Sequence, residues 1–495
     1  MNIGINLGFE PKHFIGFLGQ FHTSIASLTI GIAFLVTVAQ VVGYRYRIRR
    51  HDLFAKRTQL FAVCIYNIGT INAIGLVFAL SGLFPQFWEQ AFVHFFWPLI
   101  IEEFIFFLLA TTITFHYFFW DYVWGHKKLH IFLGALLTPL FFLQFYFING
   151  IGGFMLTPGS QIQEGTLSLA RGILGWDKTV FFHPSFLMLQ LHRTFANISY
   201  GSFFMAGWCG LRLFQHHRDP VKREYYEDNG RLAFYVALVA LLALPIVGYF
   251  YSEVLQKEAA ESFWNLMLGR GDVILWGIDL WWLKHIFVAV MLGAGLGFFR
   301  NRNNARLQER FSLPRALIYA VAVFYVVFYL AMGMVMTWAF FWWMLGFGVA
   351  GFLLGNFLVR PFQGSGRLVF IMMGLLAFGT VLLGGIARES SRPRFVNRYS
   401  HYDRLYVPEE RQPGLMVDLE APAVEAPAAP PAAAPQAAAE LIGTRCTGCH
   451  DLATVRSYTR GNWRQVVDTM ISYGASLNAE EARLVVDHLE AGLPY

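Results

Sequence analysis

The sequence predicts an all-α protein: a polytopic transmembrane bundle of about ten helices followed by a small all-α C-terminal domain. Three observations predict it. The 495 residues are 56% hydrophobic, 17% aromatic and 14% charged, with positive mean hydropathy, which departs from any soluble globular average. Apolar runs of about 20 residues, the length that crosses a bilayer, recur along the first four-fifths of the chain. The remainder turns polar beyond a stretch rich in Ala and Pro.

The runs cover residues 14–42, 59–84, 91–119, 130–152, 184–214, 231–251, 273–299, 314–335, 337–359 and 367–387. The eighth and ninth almost merge through Gly333, which leaves a count of nine open. No repeat of 20–50 residues is visible. The start, Met1 to Phe14, lacks the basic segment of a cleavable signal peptide, and the first run is too long for one. Basic residues follow alternate runs: Arg45, Arg47, Arg49, Arg50, Lys56 and Arg57 after the first, Lys127 and Lys128 after the third. Arg218, Lys222 and Arg223 follow the fifth, and Arg300, Arg302, Arg306, Arg310 and Arg315 the seventh. Positively charged loops stay cytoplasmic, so the N-terminus is expected outside, and ten helices return the chain to the outside. Arg388, Arg392, Arg394 and Arg398 then form an outer collar. A net charge of +6 carried by such loops gives no sign of nucleic-acid binding. The division expected is a bundle over 1–390, a collar and linker over 391–440, and a small domain over 441–495. Cys64 and Cys209, isolated in apolar stretches, are expected to be buried and inert.

The polar tail contains Cys446-Thr-Gly-Cys449-His450. Two cysteines two residues apart can form thioethers to both vinyl groups of one haem, and the following histidine then reaches the iron, so the motif reads as c-type haem attachment. A zinc half-site would need two more ligands, and no other cysteine lies in the tail. Covalent attachment takes place on the outer face of an energy-transducing membrane, which agrees with an outside C-terminus. Trp463, Val466, Val467, Met470, Gly474, Ala475, Leu477 and Glu481 follow. In this run the tail resembles small class I cytochromes c, and the resemblance implies His450 as proximal and Met470 as distal ligand. A core methionine on an amphipathic helix is the other reading of Met470. His488 is expected on the surface of the last helix. The Pro-rich linker tethers this domain near the membrane.

Ionisable residues inside spans are expensive and mark functional sites. His22, His192, Lys284 and His285 fall in the outer parts of the first, fifth and seventh runs, and the third carries His94, Glu102, Glu103 and, further in, His116. Histidines at one level on different helices are the arrangement that ligates haem in a bundle, so at least one b-type haem is expected.

Gln20-Phe-His22 with residues 28–34, Ile101-Glu102 with Trp120-Asp121, Phe147-Ile-Asn-Gly150, Leu191-His192-Arg-Thr and Tyr200-Gly201 occur in order on the first helices. In these the chain resembles subunit I of the cytochrome bd quinol oxidase family, over about 300 residues. The resemblance implies that His22 ligates the oxygen-reactive haem with Glu102, or Glu103, on its far side. It implies that His192 ligates the low-spin haem b, and that a second, homologous membrane subunit is the partner. The cofactors expected are one covalent haem c and one or two haems b, or a haem d in place of one.

The sequence also departs from the family. Its seventh-helix methionine falls at or beside His285, which implies a bis-histidine haem b. Its second glutamate of the third helix is replaced at or near Ala110. The stretch from Tyr329 to Met336 carries no carboxylate for a second high-spin haem, and Gly-Arg-Gln-Pro is absent. The loop from Ser252 to Asp272 corresponds to the family's quinol-binding loop, shortened; Lys257 with Glu261 or Glu258, beside Trp264, resembles its signature. A carboxylate there can take a quinol proton, although an amphipathic surface turn explains the same residues.

The reading is a multi-pass b/c cytochrome of the bacterial inner membrane, with the haem c domain in the periplasm. It moves electrons between quinol and a periplasmic carrier or cytochrome c. Two others stand beside it: an oxygen-reducing bd-like oxidase fed through haem c, and an electron-relay subunit of a larger respiratory complex.

Overall fold

Each apolar run becomes a helix, because backbone groups in hydrocarbon must be satisfied within their own segment. The computed structural model of the chain describes residues 11–85, 88, 91–92, 95–122, 126–154, 156–157, 183–267, 274–275, 278–300, 315–335, 338–359, 366–390, 434–446, 463–472 and 477–491. It divides into two compact units, Met1–Gln412 and Pro413–Tyr495.

The first unit contains α1 (Pro11–Arg45), α2 (Arg49–Leu83), α3 (Phe96–Phe118), α4 (Lys127–Phe154), α5 (Phe186–Gln215) and α6 (Pro220–Glu258). The short α7 (Ala260–Met267) and a two-stranded antiparallel hairpin, Ile274–Leu275 with Ile278–Asp279, precede α8 (Leu280–Arg300), α9 (Arg315–Val335), α10 (Trp338–Val359) and α11 (Arg367–Ser390). All ten predicted spans have their helix. Eight helices among the described residues are long and apolar enough to cross a membrane. Of the other two, α5 is diluted by Gln190, His192, Arg193, Asn197, Ser199 and Ser202, and α9 contributes the shorter apolar stretch Ala322–Gly333.

The connection between α1 and α2 is shorter than hydropathy suggests. Arg47 takes the left-handed conformation, φ 54°, and the Ile48 amide donates back to the Gly43 carbonyl at 2.9 Å, a left-handed cap that turns the chain in three residues. The expected cytoplasmic end is laced by ion pairs. Arg50 reaches Glu224 at 2.8 Å and Asp228 at 2.5 Å, Lys56 reaches Asp121 at 2.5 Å, and Lys127 pairs with Asp52. Glu227 accepts from Arg231 at 3.0 Å and from the Gly366 amide at 3.2 Å, tying α6 to the start of α11. Asp219 caps α6 through the amides of Val221 and Lys222, with Pro220 in its first turn; the Lys222 amide holds its carboxyl below the usual range.

Two close approaches fix the bundle. A Cβ on Gly201 of α5 would stand 2.6 Å from the Gly31 carbonyl carbon of α1, and one on Gly31 would overlap the Asn197 carbonyl. Likewise Gly293 of α8 lies against the Gly348 backbone of α10. Small residues at such crossings let helix backbones touch, which is how membrane helices gain packing without a hydrophobic drive.

In the second unit, α12 (Ala434–Leu441) leads into a π-turn (Ile442–Cys446), then α13 (Trp463–Ser472) and α14 (Ala479–Glu490). Ile442, Val467, Ala482, Val485, Val486 and Leu489 form its core, with Trp463 and Leu477 against it. Asn478 and Glu481 form a reciprocal capping box on α14.

Several expectations are corrected. His488 is 4% exposed, because it falls on the core-facing side of α14 beside Leu489 and Val485. Cys64 is exposed, because it lies on the outward side of α2, whereas Cys209 is buried. The segment 252–258 continues α6, and residues 274–279 form the hairpin, so the seventh span begins at Leu280.

Gly31→Ala should cost about 1–3 kcal/mol by overpacking and visibly lower the thermal midpoint of the purified protein. Gly75→Ala, where an added Cβ meets nothing within 4 Å, serves as the neutral comparison. Equal midpoints for the two would mean that α1 and α5 do not touch at this crossing.

Candidate functional site

Helices α1 and α5 meet at Gly31 and Gly201, and this crossing sets a common level. His22 precedes Gly31 by nine residues and His192 precedes Gly201 by nine, so each stands about 13 Å from the crossing along its own helix. His285 precedes the α8–α10 crossing at Gly293 by eight.

His22 is hydrogen-bonded to the Gly69 backbone of α2, and its Nδ1 has no hydrogen-bond partner among the described residues. The His192 ring stacks on Tyr251 of α6, centroids 5.9 Å apart, and a Cβ on Gly248 would stand 3.6 Å from it; its Nδ1 is also unpartnered. His285 lies edge-on to Trp281 at 3.8 Å and to Phe340 at 5.5 Å, and neither ring nitrogen is hydrogen-bonded. His192 and His285 lie within electrostatic reach of each other and of Lys284. Lys284 lies over the Trp281 ring at 4.9 Å, and its Nζ would stand 3.7 Å from a Cβ on Gly384 of α11. Buried polar atoms are rarely left unpaired. Three histidines with orphaned nitrogens toward the N-terminal ends of α1, α5 and α8 are therefore suited to ligands beyond the protein.

Glu102 is partly buried and accepts a hydrogen bond from Gln144 of α4 at 2.6 Å. Its neighbour Glu103 is exposed on the outside of α3, so the two adjacent carboxylates face different surroundings. Tyr66 of α2, which donates to the Phe106 carbonyl at 3.1 Å, is within electrostatic reach of both. His116 belongs to another group, about 20 Å along α3 from Glu102. Its ring stacks on His130 at 4.2 Å; His130 in turn bonds Gln40 at 2.9 Å and the His116 carbonyl at 3.0 Å.

Lys257, 69% exposed, pairs with Glu253 one turn back at 3.0 Å, and Glu258 is exposed at the end of α6. Glu261 lies on α7 and Met470 on α13, and Cys446 closes the π-turn; their side chains fall outside the described residues, as do His94, Cys449 and His450 altogether.

Residue types alone did not single out the frame around His192. Asn149 of α4 donates to Gln190 of α5 at 2.9 Å, Gln190 donates to the Tyr146 carbonyl at 3.2 Å, and Arg193 donates to Asn149 at 3.0 Å while lying over the Phe145 ring at 5.1 Å. The signal was present in the Phe147-Ile-Asn-Gly150 and Leu191-His192-Arg-Thr stretches, which contribute both sides of this network.

Gln144→Leu removes the donor to Glu102 and should cost about 1–3 kcal/mol, read as a lower thermal midpoint. Adding Glu102→Leu should return most of it. A double variant no more stable than Gln144→Leu would argue that the pair does not interact.

The family described as "Cytochrome bd terminal oxidase subunit I" matches residues 14–399. No curated protein matches. Among solved structures, the bd oxidase from Geobacillus thermodenitrificans is similar at 17% identity, covering 79% of this chain and 90% of that one with a TM-score of 0.54, a likeness of fold. A family match over most of the chain, on a helical membrane bundle, leads to one assignment: the chain belongs to the cytochrome bd terminal oxidase subunit I family, respiratory haem proteins of the quinol-oxidase type.

Proposed function

We propose that the chain is a quinol-linked b/c cytochrome that carries electrons between the quinol pool and a c-type haem on the outer face of the membrane. The observation that carries this reading is the pair His192 and His285: two histidines from different helices, within electrostatic reach of each other, with ring nitrogens that nothing in the described protein satisfies. Haem bound there supplies reversible one-electron chemistry within the bundle. His192 and His285 would hold it, and two histidines favour a lower potential than a His/Met pair. Lys284 and Arg193 bring two positive charges within reach of His192, the compensation an anionic porphyrin needs in low dielectric. Tyr251 and Gly248 shape the space beside the His192 ring.

His22 would hold a second haem, b-type or d-type, and Glu102, oriented by its hydrogen bond from Gln144, would hold a proton for that site. At the outer end of α6, Lys257 and Glu258, with Glu261 on α7, bind quinol, and a carboxylate among them takes its proton. Cys446, Cys449, His450 and Met470 would hold haem c, whose one-electron chemistry would serve a periplasmic carrier or cytochrome c. A second membrane subunit like subunit II of the family completes the protein.

Oxygen reduction is the second reading, and family membership together with His22 and Glu102 favours it. Against it stand Tyr325 and Tyr329 of α9 and Phe340 of α10, packed at 4.8 and 6.1 Å, where a third haem would need a carboxylate.

His192→Ala and His285→Ala should each abolish the low-spin haem b spectrum of the purified protein while leaving its haem c band. A retained spectrum in either variant refutes the bis-histidine site. Quinol should reduce haem c anaerobically, and the rate should fall at least tenfold in both variants. Rapid oxygen uptake by the wild type, blocked by ligands of high-spin haem, would establish the oxidase instead. Cys446→Ala/Cys449→Ala should remove covalently bound haem from the denatured chain; haem that stays attached would disprove the c-type assignment.

A further inference from the structure

Where α5 turns into α6, at the expected cytoplasmic end, the carboxylates are already taken. Arg50 holds Glu224 and Asp228, Arg231 holds Glu227, and Asp219 caps α6 and pairs with Lys222 at 3.4 Å. Arg57 of α2 and Arg212 of α5 take part in none of the ion pairs among the described residues. Aromatic and neutral groups meet them instead. The Arg57 guanidinium lies over the Tyr225 ring, 5.3 Å from its centroid. That of Arg212 lies 5.8 Å from the Trp208 ring and 5.7 Å from the Tyr226 ring, donates to the Tyr226 hydroxyl at 3.3 Å and reaches the Gln215 side chain. Tyr225 and Tyr226 meet edge to face at 5.0 Å, so the two arginines flank one aromatic pair. His216 stacks on Tyr226 at 5.7 Å, within electrostatic reach of Arg212 and Lys222. Its Nε2 is shielded from solvent and has no hydrogen-bond partner among the described residues.

The surface beside this group is apolar and bare. Trp208, Leu211 and Phe214 are exposed on α5, and Leu53 and Leu60 are exposed on α2 on either side of Arg57. Phe61 of α2 stacks on Phe204 of α5 at 6.0 Å. One turn from each, in the same direction, come Arg57 and Trp208, which therefore stand at one level. Orientation in the membrane asks only for basic loops. These two arginines are set within helices, and an aromatic face returns only part of what a guanidinium loses on leaving water. A phosphate returns more, through forked, charge-assisted hydrogen bonds. A free phosphate would leave the apolar strip uncovered. A phospholipid covers it with its own chains, and basic pockets between helices at the cytoplasmic surface recognise anionic headgroups.

We propose that this corner binds an anionic phospholipid: Arg212, Arg57 and His216 hold the phosphate headgroup, and the chains lie along Trp208, Leu211 and Leu60. The proposal stands apart from the haem and quinol reading.

The full chain, purified in neutral detergent and washed of lipid, is titrated with phosphatidylglycerol or with phosphatidylcholine of the same chains, and retained lipid is counted by native mass spectrometry. The wild type should hold phosphatidylglycerol about tenfold more tightly than phosphatidylcholine, and Arg212→Gln should remove most of that preference. Arg212→Lys, which keeps the charge and loses the fork, should fall between them and serves alone if the glutamine variant does not fold. Arg45→Gln/Lys128→Gln removes two exposed charges expected on the same membrane face and should leave the preference intact. No preference in the wild type overturns the proposal. So does an equal loss in Arg45→Gln/Lys128→Gln, which would make it a matter of net charge. Full displacement of the lipid by inorganic phosphate, with phosphate retained in its place, would mark a site for soluble anions and also overturns it.

Discussion

In hydrocarbon no water can satisfy a polar atom, and this requirement organises the whole bundle. Helices satisfy their own backbone, so the demand falls on side chains. Most of them meet it locally. Thr29, Thr70 and Thr112 return hydroxyls to carbonyls one turn back, and Tyr66 and Gln59 donate across helices to the Phe106 and Ile113 carbonyls. Where α3 meets α4, His130 bonds the Gln40 side chain and the His116 carbonyl, while both His116 ring nitrogens have no hydrogen-bond partner among the described residues. Against that background the exceptions are informative, because each costs stability that a folded protein retains only for a reason. Among the histidines they include Nδ1 of His22 and His192, both ring nitrogens of His285 and of His116, and Nε2 of His183.

Helix contact and histidine level follow from the same glycines. Where α1 and α5 touch, neither Gly31 nor Gly201 has room for a side chain, and equal spacing from that point carries His22 and His192 to one height. Any bulkier residue at the crossing would separate the helices and move both rings. The Asn149–Gln190–Arg193 network then holds α5 against α4 beside His192, so packing and polar satisfaction constrain the same ring. A site whose partners must approach within tenths of an ångström gains from supports set on helices rather than on loops.

Hydropathy made all ten helices legible, because it is an average over many residues. The ligand candidates were legible as residue types in an environment that penalises them. What escaped was whatever a single neighbour decides. Glu102 and Glu103 are adjacent in sequence and point about 100° apart around the helix, and only the presence of Gln144 on α4 marks Glu102 as the inward one. Cys64 looked like a buried thiol because its surroundings are apolar, yet apolar in a membrane protein describes the outside as well as the inside. Lys257 read as a loop residue because charge interrupts the hydropathy of α6, while the helix continues to Glu258. His488 read as surface because its neighbours Asp487 and Glu490 are charged, and its position beside Leu489 on the core side of α14 decided otherwise.

The departures from the family pattern share a physical direction. Removing carboxylates from a membrane interior lowers a desolvation cost that only a proton-consuming reaction at that place justifies. The region of α9 and α10 beside His285 has instead become an aromatic wall, Tyr325, Tyr329 and Phe340, with the Tyr325 hydroxyl spent on the Met344 carbonyl at 2.8 Å. Phe340 of this wall lies against the His285 ring at 5.5 Å, and none of the three residues is a carboxylate. Electron transfer asks only for low reorganisation and rigid ligands, which this wall favours. Multi-proton reduction of oxygen asks for carboxylates at the reacting centre, and here Glu102 alone is turned inward from α3. On that balance the surroundings of His192 and His285 suit a conduit for electrons. The carboxylates that deal with protons are left to the outer end of α6 and to Glu102, at the two places where quinol and the His22 site are proposed.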